Sequence, residues 1–242
     1  MDSRLLEIAK GIEDHPYERT GHIYHPIPFP EFAHLKTSSS ARAAWRKWKL
    51  IKSALGSISL EGKRVLDVGA SAGFYSFNFA KEGAIVDAFE PHGHYAEIGR
   101  KIVEVTGLSV NWHNQRFTKA DLVGKEYDIT LMLSVFQWIS GGNENLEEAC
   151  TLLEAIAQTS QTLFFELGCN YGKSAICTDE RPIAWIWRLL CHHTFPKQVS
   201  FLGITAPWRD MRRYVFACSN RDLELKRWQR LVTWALQKGW VK

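Results

Sequence analysis

Val65-Leu66-Asp67-Val68-Gly69-Ala70-Ser71-Ala72-Gly73-Phe74-Tyr75-Ser76 reads as an apolar strand, a turn of small residues and the start of a helix. The strand ends at Gly69, and four positions without bulk let the backbone pass close to a ligand before the helix begins near Gly73. Such a segment can cradle a nucleotide-like molecule, and it can equally be a plain strand-to-helix turn. From Lys63 onwards, short apolar runs alternate with helical patterns. The runs are Arg64–Gly69, Ala84–Glu90, Ser109–His113, Tyr127–Leu133 and Thr162–Glu166, and the helical patterns cover Phe74–Glu82, Tyr95–Thr106, Thr118–Val123 and Asn145–Thr159. That rhythm predicts an α/β fold, a Rossmann-like doubly wound sheet that is mostly parallel. After Glu166 the rhythm changes. Asp179–His192 reads as a helix, Val199–Ile204 with Tyr214–Ser219 as an antiparallel closing pair, and Asp222–Lys238 as a last amphipathic helix.

The second run narrows the ligand. Glu90 ends it, twenty-one residues after Gly69, where an acid can accept both hydroxyls of a ribose. A dinucleotide loop would need a glycine in the middle of Gly69-Ala70-Ser71-Ala72-Gly73 to admit a pyrophosphate, and Ser71 stands there. A ligand with a ribose but no diphosphate is expected.

These residues resemble the class I S-adenosylmethionine-dependent methyltransferase family, whose first motif places an acid two positions before the glycine, matched by Asp67 and Gly69. The resemblance covers about Lys63–Ser219 and implies S-adenosylmethionine as cofactor. It implies that Asp67 lies near the methionine amine, that the backbone of Gly69 and Ala70, with the Ser71–Gly73 turn, contacts the methionine moiety, and that Glu90 holds the ribose. Adenine is expected near Gln115, Arg116 and Phe117. Family members often carry an acid there, which this chain lacks, and Phe117 reads as well as a core ring. The fourth run leads into Leu133-Ser134-Val135-Phe136-Gln137-Trp138, which the resemblance places beneath the sulfonium, with Leu133 and Ser134 near the donor methyl.

Leu133–Phe136, Ala157–Gln161, Phe165–Leu167 and Arg213–Asn220 are similar to the methyltransferase part of bacterial O-antigen chain-terminating kinase/methyltransferases, without any kinase signature in this chain. Those relatives carry paired histidines where Gln137-Trp138 stand here. A sugar, sugar phosphate or other small oxygen acceptor follows as the expectation, with Gln137 and Trp138 facing it. Glu166, at the end of the fifth run, is the leading candidate for a general base, ahead of His92 and His94. Arg181 and Arg188 are candidates to grip an anionic acceptor through bidentate contacts, or ordinary surface charge. Cys191-His192-His193 lacks ligand spacing, and no metal is expected.

The bulk properties bound the rest. With 242 residues, 45% hydrophobic and 23% charged, the chain can bury one sizeable core. No run reaches the length of a membrane span, and the N-terminus has no signal-peptide core, so a soluble cytoplasmic protein is expected. Five scattered cysteines without a CxxC pair favour free thiols. The organisation expected is an N-terminal extension at 1–62, a methyltransferase domain at 63–219 and a C-terminal helix at 220–242. The extension holds the proline run Pro26–Pro30 and, after a cap at Ser38–Ser40, a helix over Ala41–Leu55 with Trp45, Trp48 and Ile51 on one face. The net charge of +4 is uneven: residues 180–242 carry 12 Lys/Arg against 4 Asp/Glu. That asymmetry, with Trp45 and Trp48, leaves an RNA methyltransferase acting on transfer RNA as an alternative, and the missing acid near Arg116 leaves a non-catalytic cofactor-binding module as another.

Overall fold

The structure, a computed structural model, describes residues 2–168, 174–176, 178–194, 196–208 and 211–241, with backbone only at 207 and 208. Cys169 and Cys177 lie outside the described residues. Grouped by Cα proximity the chain forms two compact units, 1–46 with 59–117 and 47–58 with 118–242. These units cut across the segments expected at 1–62, 63–219 and 220–242.

The first unit holds three parallel strands in the order β3-β2-β1, namely β1 (Arg64–Val68), β2 (Ile85–Phe89) and β3 (Val110–His113). Val65, Leu66 and Val68 are buried, as expected of a parallel strand covered on both faces, and Asp67 is the polar exception at 2% exposure. Register sets Asp67 opposite Ala88 and Val68 opposite Phe89, so that both strands end at the same level. Helices α3 (Phe74–Ala80) and α4 (Gly93–Thr106) make the crossovers. Gly107 closes α4 with φ at 66°, a left-handed cap that suits glycine. Helix α1 (Ser3–Asp14) buries Leu5, Ala9 and Ile12, an i, i+4, i+7 stripe, and packs against α4.

In the second unit the order is β4-β5-β7-β6, from β4 (Tyr127–Leu133), β5 (Ser160–Leu167), β6 (Gln198–Trp208) and β7 (Met211–Ser219). β4 and β5 are parallel, while β7 runs antiparallel to both β5 and β6. The mostly parallel, doubly wound sheet with an antiparallel closing pair is therefore observed, and both strands of that pair extend beyond their expected ends. Phe164, Phe165 and Phe216 are fully buried at its centre. Helices α5 (Phe136–Ile139), α6 (Leu146–Thr159), α7 (Pro182–His193) and α8 (Arg227–Gln237) complete the unit. α8 begins five residues later than the sequence pattern suggested. The Glu224 N–H donates to the Ala54 carbonyl at 2.9 Å, and Gly56 has room for no side chain against Glu224, so residues 222–225 run as an extended strap instead of helix.

Helix α2 (Ala41–Leu55) contributes residues to both units. Its N-cap is the expected one, with the Ala43 amide donating to Ser40 Oγ at 3.3 Å. Ala44, Trp48, Ile51, Ala54 and Leu55 are buried, and so is Lys47, whereas Trp45 is 39% exposed. The face expected from Trp45, Trp48 and Ile51 is therefore rotated away from Trp45.

Candidate functional site

Of the donor-side candidates, Asp67 through Phe117 lie in the first unit, and Leu133 and Ser134 in the second. Beyond β1 the chain turns sharply, with φ at 75° for Gly69, 52° for Ser71 and 92° for Gly73. Glycine serves at two of these left-handed positions, and Ser71 accepts the strain. The amides of Gly69 and Ala70 both donate to the Phe89 carbonyl, at 2.8 and 3.0 Å, which ties the loop to the end of β2. These two amides are therefore already committed within the protein. The Ala70 carbonyl in turn accepts the Gly73 amide at 3.0 Å, which closes the turn.

Glu90 lies 8% exposed at the loop's far side. Its Oε2 accepts the Ser71 amide and its Oε1 the His92 amide, each at 2.8 Å. A carboxylate offers about four lone-pair sites, so one on each oxygen remains for an incoming pair of hydroxyls. Burial pushes the Glu90 carboxyl above its usual range, outweighing the two amide bonds and the nearby His92. Ser71 Oγ, buried next to it, has no hydrogen-bond partner among the described residues. A group that brought donors to Glu90 and a partner to Ser71 would relieve both conditions, so these residues fit a ribose-bearing ligand.

Asp67 accepts the Ser76 hydroxyl at 2.6 Å, a contact from the first turn of α3 that orients the carboxylate. Ser76 was not singled out from sequence, although it lies within the quoted stretch. Near the expected adenine position Gln115 and Arg116 are exposed, while Phe117 is buried and meets Phe89 edge-on at 4.9 Å. Phe117 thus takes part in core packing. The N-terminal residues also reach this side of the unit. Tyr17 hydrogen-bonds His92 and stacks on His94 at 5.0 Å, and Tyr95 donates to Glu18. Both histidines are thus covered by the N-terminal segment, and burial holds the His94 ring below its usual pKa.

The acceptor-side candidates lie in the second unit. Glu166, next to last in β5, is 1% exposed and receives three donors: Lys47 Nζ at 2.5 Å, the Ser134 hydroxyl, and the Thr205 hydroxyl at 2.5 Å. Burial alone would raise its pKa, but the Lys47 and Arg213 charges and the two hydrogen bonds from Lys47 and Ser134 hold it below the usual carboxylate range. A general base needs an open lone pair and a proton affinity near neutral. Glu166 is buried among three donors and titrates below the usual range, which weighs against the base role expected of it and suits a positioning residue. Lys47 was missed, yet it falls in the apolar stripe of α2, three after Ala44 and four before Ile51, where a lysine needs a buried partner.

Ser134 has φ at 64°, a left-handed conformation unusual for serine, held by its amide donating to the Glu166 carbonyl at 2.9 Å and its hydroxyl to the carboxylate. Gln137 is 1% exposed and donates Nε2 to the Ser134 carbonyl at 2.6 Å. That contact orients the amide and leaves Oε1 buried without a partner among the described residues. Leu133 is buried, and Trp138 is 68% exposed. Arg188 pairs with Glu180, and Arg181 is an exposed residue preceding α7. His193 pairs with Glu154 at 2.8 Å.

No family model matches the chain. Among solved structures it is similar to the bifunctional kinase-methyltransferase WbdD, with a TM-score of 0.66 and 19% identity over 88% of this chain and 47% of that one. The chain has the class I methyltransferase fold. That fold also relates it to the N-terminal domain of EvdMO1 with SAH bound, at TM-score 0.61 and 16% identity over 91% of this chain and 98% of that one. Magnesium protoporphyrin IX methyltransferase (ChlM) from Synechocystis PCC 6803, with bound SAM, matches at TM-score 0.52 and 20% identity, covering 74% of this chain and 78% of that one. In sequence, a ubiquinone biosynthesis O-methyltransferase of Methylocella silvestris is 32% identical over 83 residues, which is 33% of this chain and 31% of that protein. The chain thus spans about half of WbdD and a third of this curated relative.

Proposed function

We propose that this chain is a S-adenosylmethionine-dependent methyltransferase acting on an oxygen of a sugar or another small molecule. The observation that carries the reading is Glu90, a buried carboxylate anchored by one amide on each oxygen and left with one acceptor site on each, which matches the two hydroxyls of a ribose. The methyltransferase fold supports it, as do relatives solved with SAM or SAH. A sugar acceptor is favoured by EvdMO1, solved in the presence of SAH and D-fucose. Oxygen as the acceptor atom is favoured by the ubiquinone O-methyltransferase match.

S-adenosylmethionine, when bound, supplies a methyl group on a positively charged sulfur. Glu90 would hold its ribose, and Asp67, oriented by Ser76, would face its methionine amine. In the second unit Glu166 takes the hydrogen of the Ser134 hydroxyl, so Ser134 Oγ is left with lone pairs to accept a hydrogen bond from a substrate hydroxyl. The bound donor would supply its methyl group for an in-line displacement by an acceptor oxygen, which Ser134 Oγ would orient. Alignment of this in-line displacement supplies most of the rate.

Isothermal calorimetry with S-adenosylhomocysteine tests the reading. Wild type should bind, and Glu90→Ala should bind about 1–3 kcal/mol more weakly through the loss of charge-assisted hydrogen bonds. No heat of binding at high protein concentration would overturn it.

A further inference from the structure

We infer that the outward face of α8 is a docking surface for an anionic lipid bilayer, on which the chain lies without inserting a span. Two stripes define the helix. Gln229, Thr233 and Leu236, spaced i, i+4, i+7, are buried on β6, where Gln229 Nε2 donates to the Leu202 carbonyl at 2.8 Å and Thr233 Oγ1 accepts the Phe201 amide at 3.0 Å. Turned away from them by about half a turn is a second stripe of the same period, Arg227, Leu231, Trp234 and Lys238, every member exposed. A helix with one partner should be polar on this outer stripe. Here Leu231 is 58% exposed and Trp234 44%, with Trp228 beside them at 43% and Trp240 just past the helix at 68%.

The charges name the partner. From Leu225 through Val241 there is no acid, and Lys226, Arg227, Arg230 and Lys238 are all exposed. The nearest acids in sequence, Asp222 and Glu224, precede the helix, and Asp222 lines a small cavity together with Arg230 and Trp234. Exposed indoles interleaved with cations are the composition of a helix lying at a lipid–water interface, where the rings sit at headgroup level and the cations meet anionic headgroups. A second copy of the chain would bring the same cations face to face. A single-stranded nucleic acid would need parallel ring platforms, and Trp234 instead meets Trp240 edge-on at 4.5 Å with ring planes 77° apart. No helix among the described residues is long and apolar enough to cross a membrane, so the contact is with a surface.

The test is co-flotation of the full chain with vesicles of phosphatidylcholine alone or of equal parts phosphatidylcholine and phosphatidylglycerol. The chain should float with the anionic vesicles only and release in high salt. The double variant Leu231→Ser/Trp234→Ser should lose flotation while its thermal melt stays that of wild type, because the buried stripe is untouched. Removing a single cation by Arg227→Gln should weaken partitioning about fivefold. Equal binding to both vesicles, flotation unaffected by Leu231→Ser/Trp234→Ser, or retention of bulk transfer RNA without any flotation would each overturn the inference.

Discussion

Lys47→Met tests the buried network of the second unit. Lys47 and Glu166 are 6% and 1% exposed as side chains and 2.5 Å apart, so removing the ammonium strands a carboxylate in the interior. Breaking such a pair costs about 3–5 kcal/mol, and the remaining Ser134, Thr205 and Arg213 partners place the expectation near the lower end. For a chain of this length about 3 kcal/mol lowers the melting midpoint by roughly 6–12 °C. The double variant Lys47→Met/Glu166→Gln removes both charges while the Gln carbonyl keeps an acceptor for a hydroxyl, and it should recover more than half of the loss. pH gives an independent reading. The Glu166 carboxyl titrates below its unfolded value, so its contribution is fully present above about pH 4.3 and is lost as the pH falls through the folded value. Wild type and Lys47→Met should therefore converge in stability as the medium is acidified from neutral. The assay is thermal denaturation by circular dichroism from neutral pH into the acid range. A Lys47→Met midpoint indistinguishable from wild type at neutral pH, or a double variant no more stable than the single one, would refute the reasoning.

Two further outcomes are expected on the donor side. Gly73→Ala would place a Cβ 2.5 Å from the Phe77 ring at a φ of 92°, and it should cost about 1–3 kcal/mol in stability while weakening S-adenosylhomocysteine binding in the same preparation, read by denaturation and calorimetry. Ser76→Ala deletes the hydrogen bond to the buried Asp67 carboxylate and should destabilise by about 1–3 kcal/mol, with Ser76→Thr restoring most of it in a chemical denaturation series.

The fold and the donor loop were legible because both rest on local regularities. Val65–Val68 is apolar at every position but Asp67, and the small residues at 69–73 mark a turn whatever the rest of the chain does. Glu90 was legible through its spacing from Gly69. What sequence could not show is which backbone donors the structure had already committed, as with the Gly69 and Ala70 amides on the Phe89 carbonyl. The surroundings of Glu166 were hidden for a similar reason. Its position at a strand end suggested a base, but its protonation behaviour is set by Lys47, 119 residues away in the chain. The start of α8 was misplaced because amphipathic spacing reports faces, not caps, and the strap before it is held by Ala54 and Gly56.

The ring of Trp112 on β3 occupies the space beside two glycines at once. A Cβ on Gly73 would come within 3.0 Å of it, and one on Gly99 in α4 would overlap it outright. The three positions are therefore not independent in descent. While Trp112 is present, neither glycine can acquire a side chain without displacing the indole. If Trp112 were first replaced by a smaller residue, Gly99→Ala would fill the space left and turn from harmful to favourable, since alanine suits a helix interior better than glycine. Gly73, held by its backbone angle as well as by Phe77, would stay fixed. Diverging copies of this chain should thus exchange Trp112 and Gly99 together or not at all.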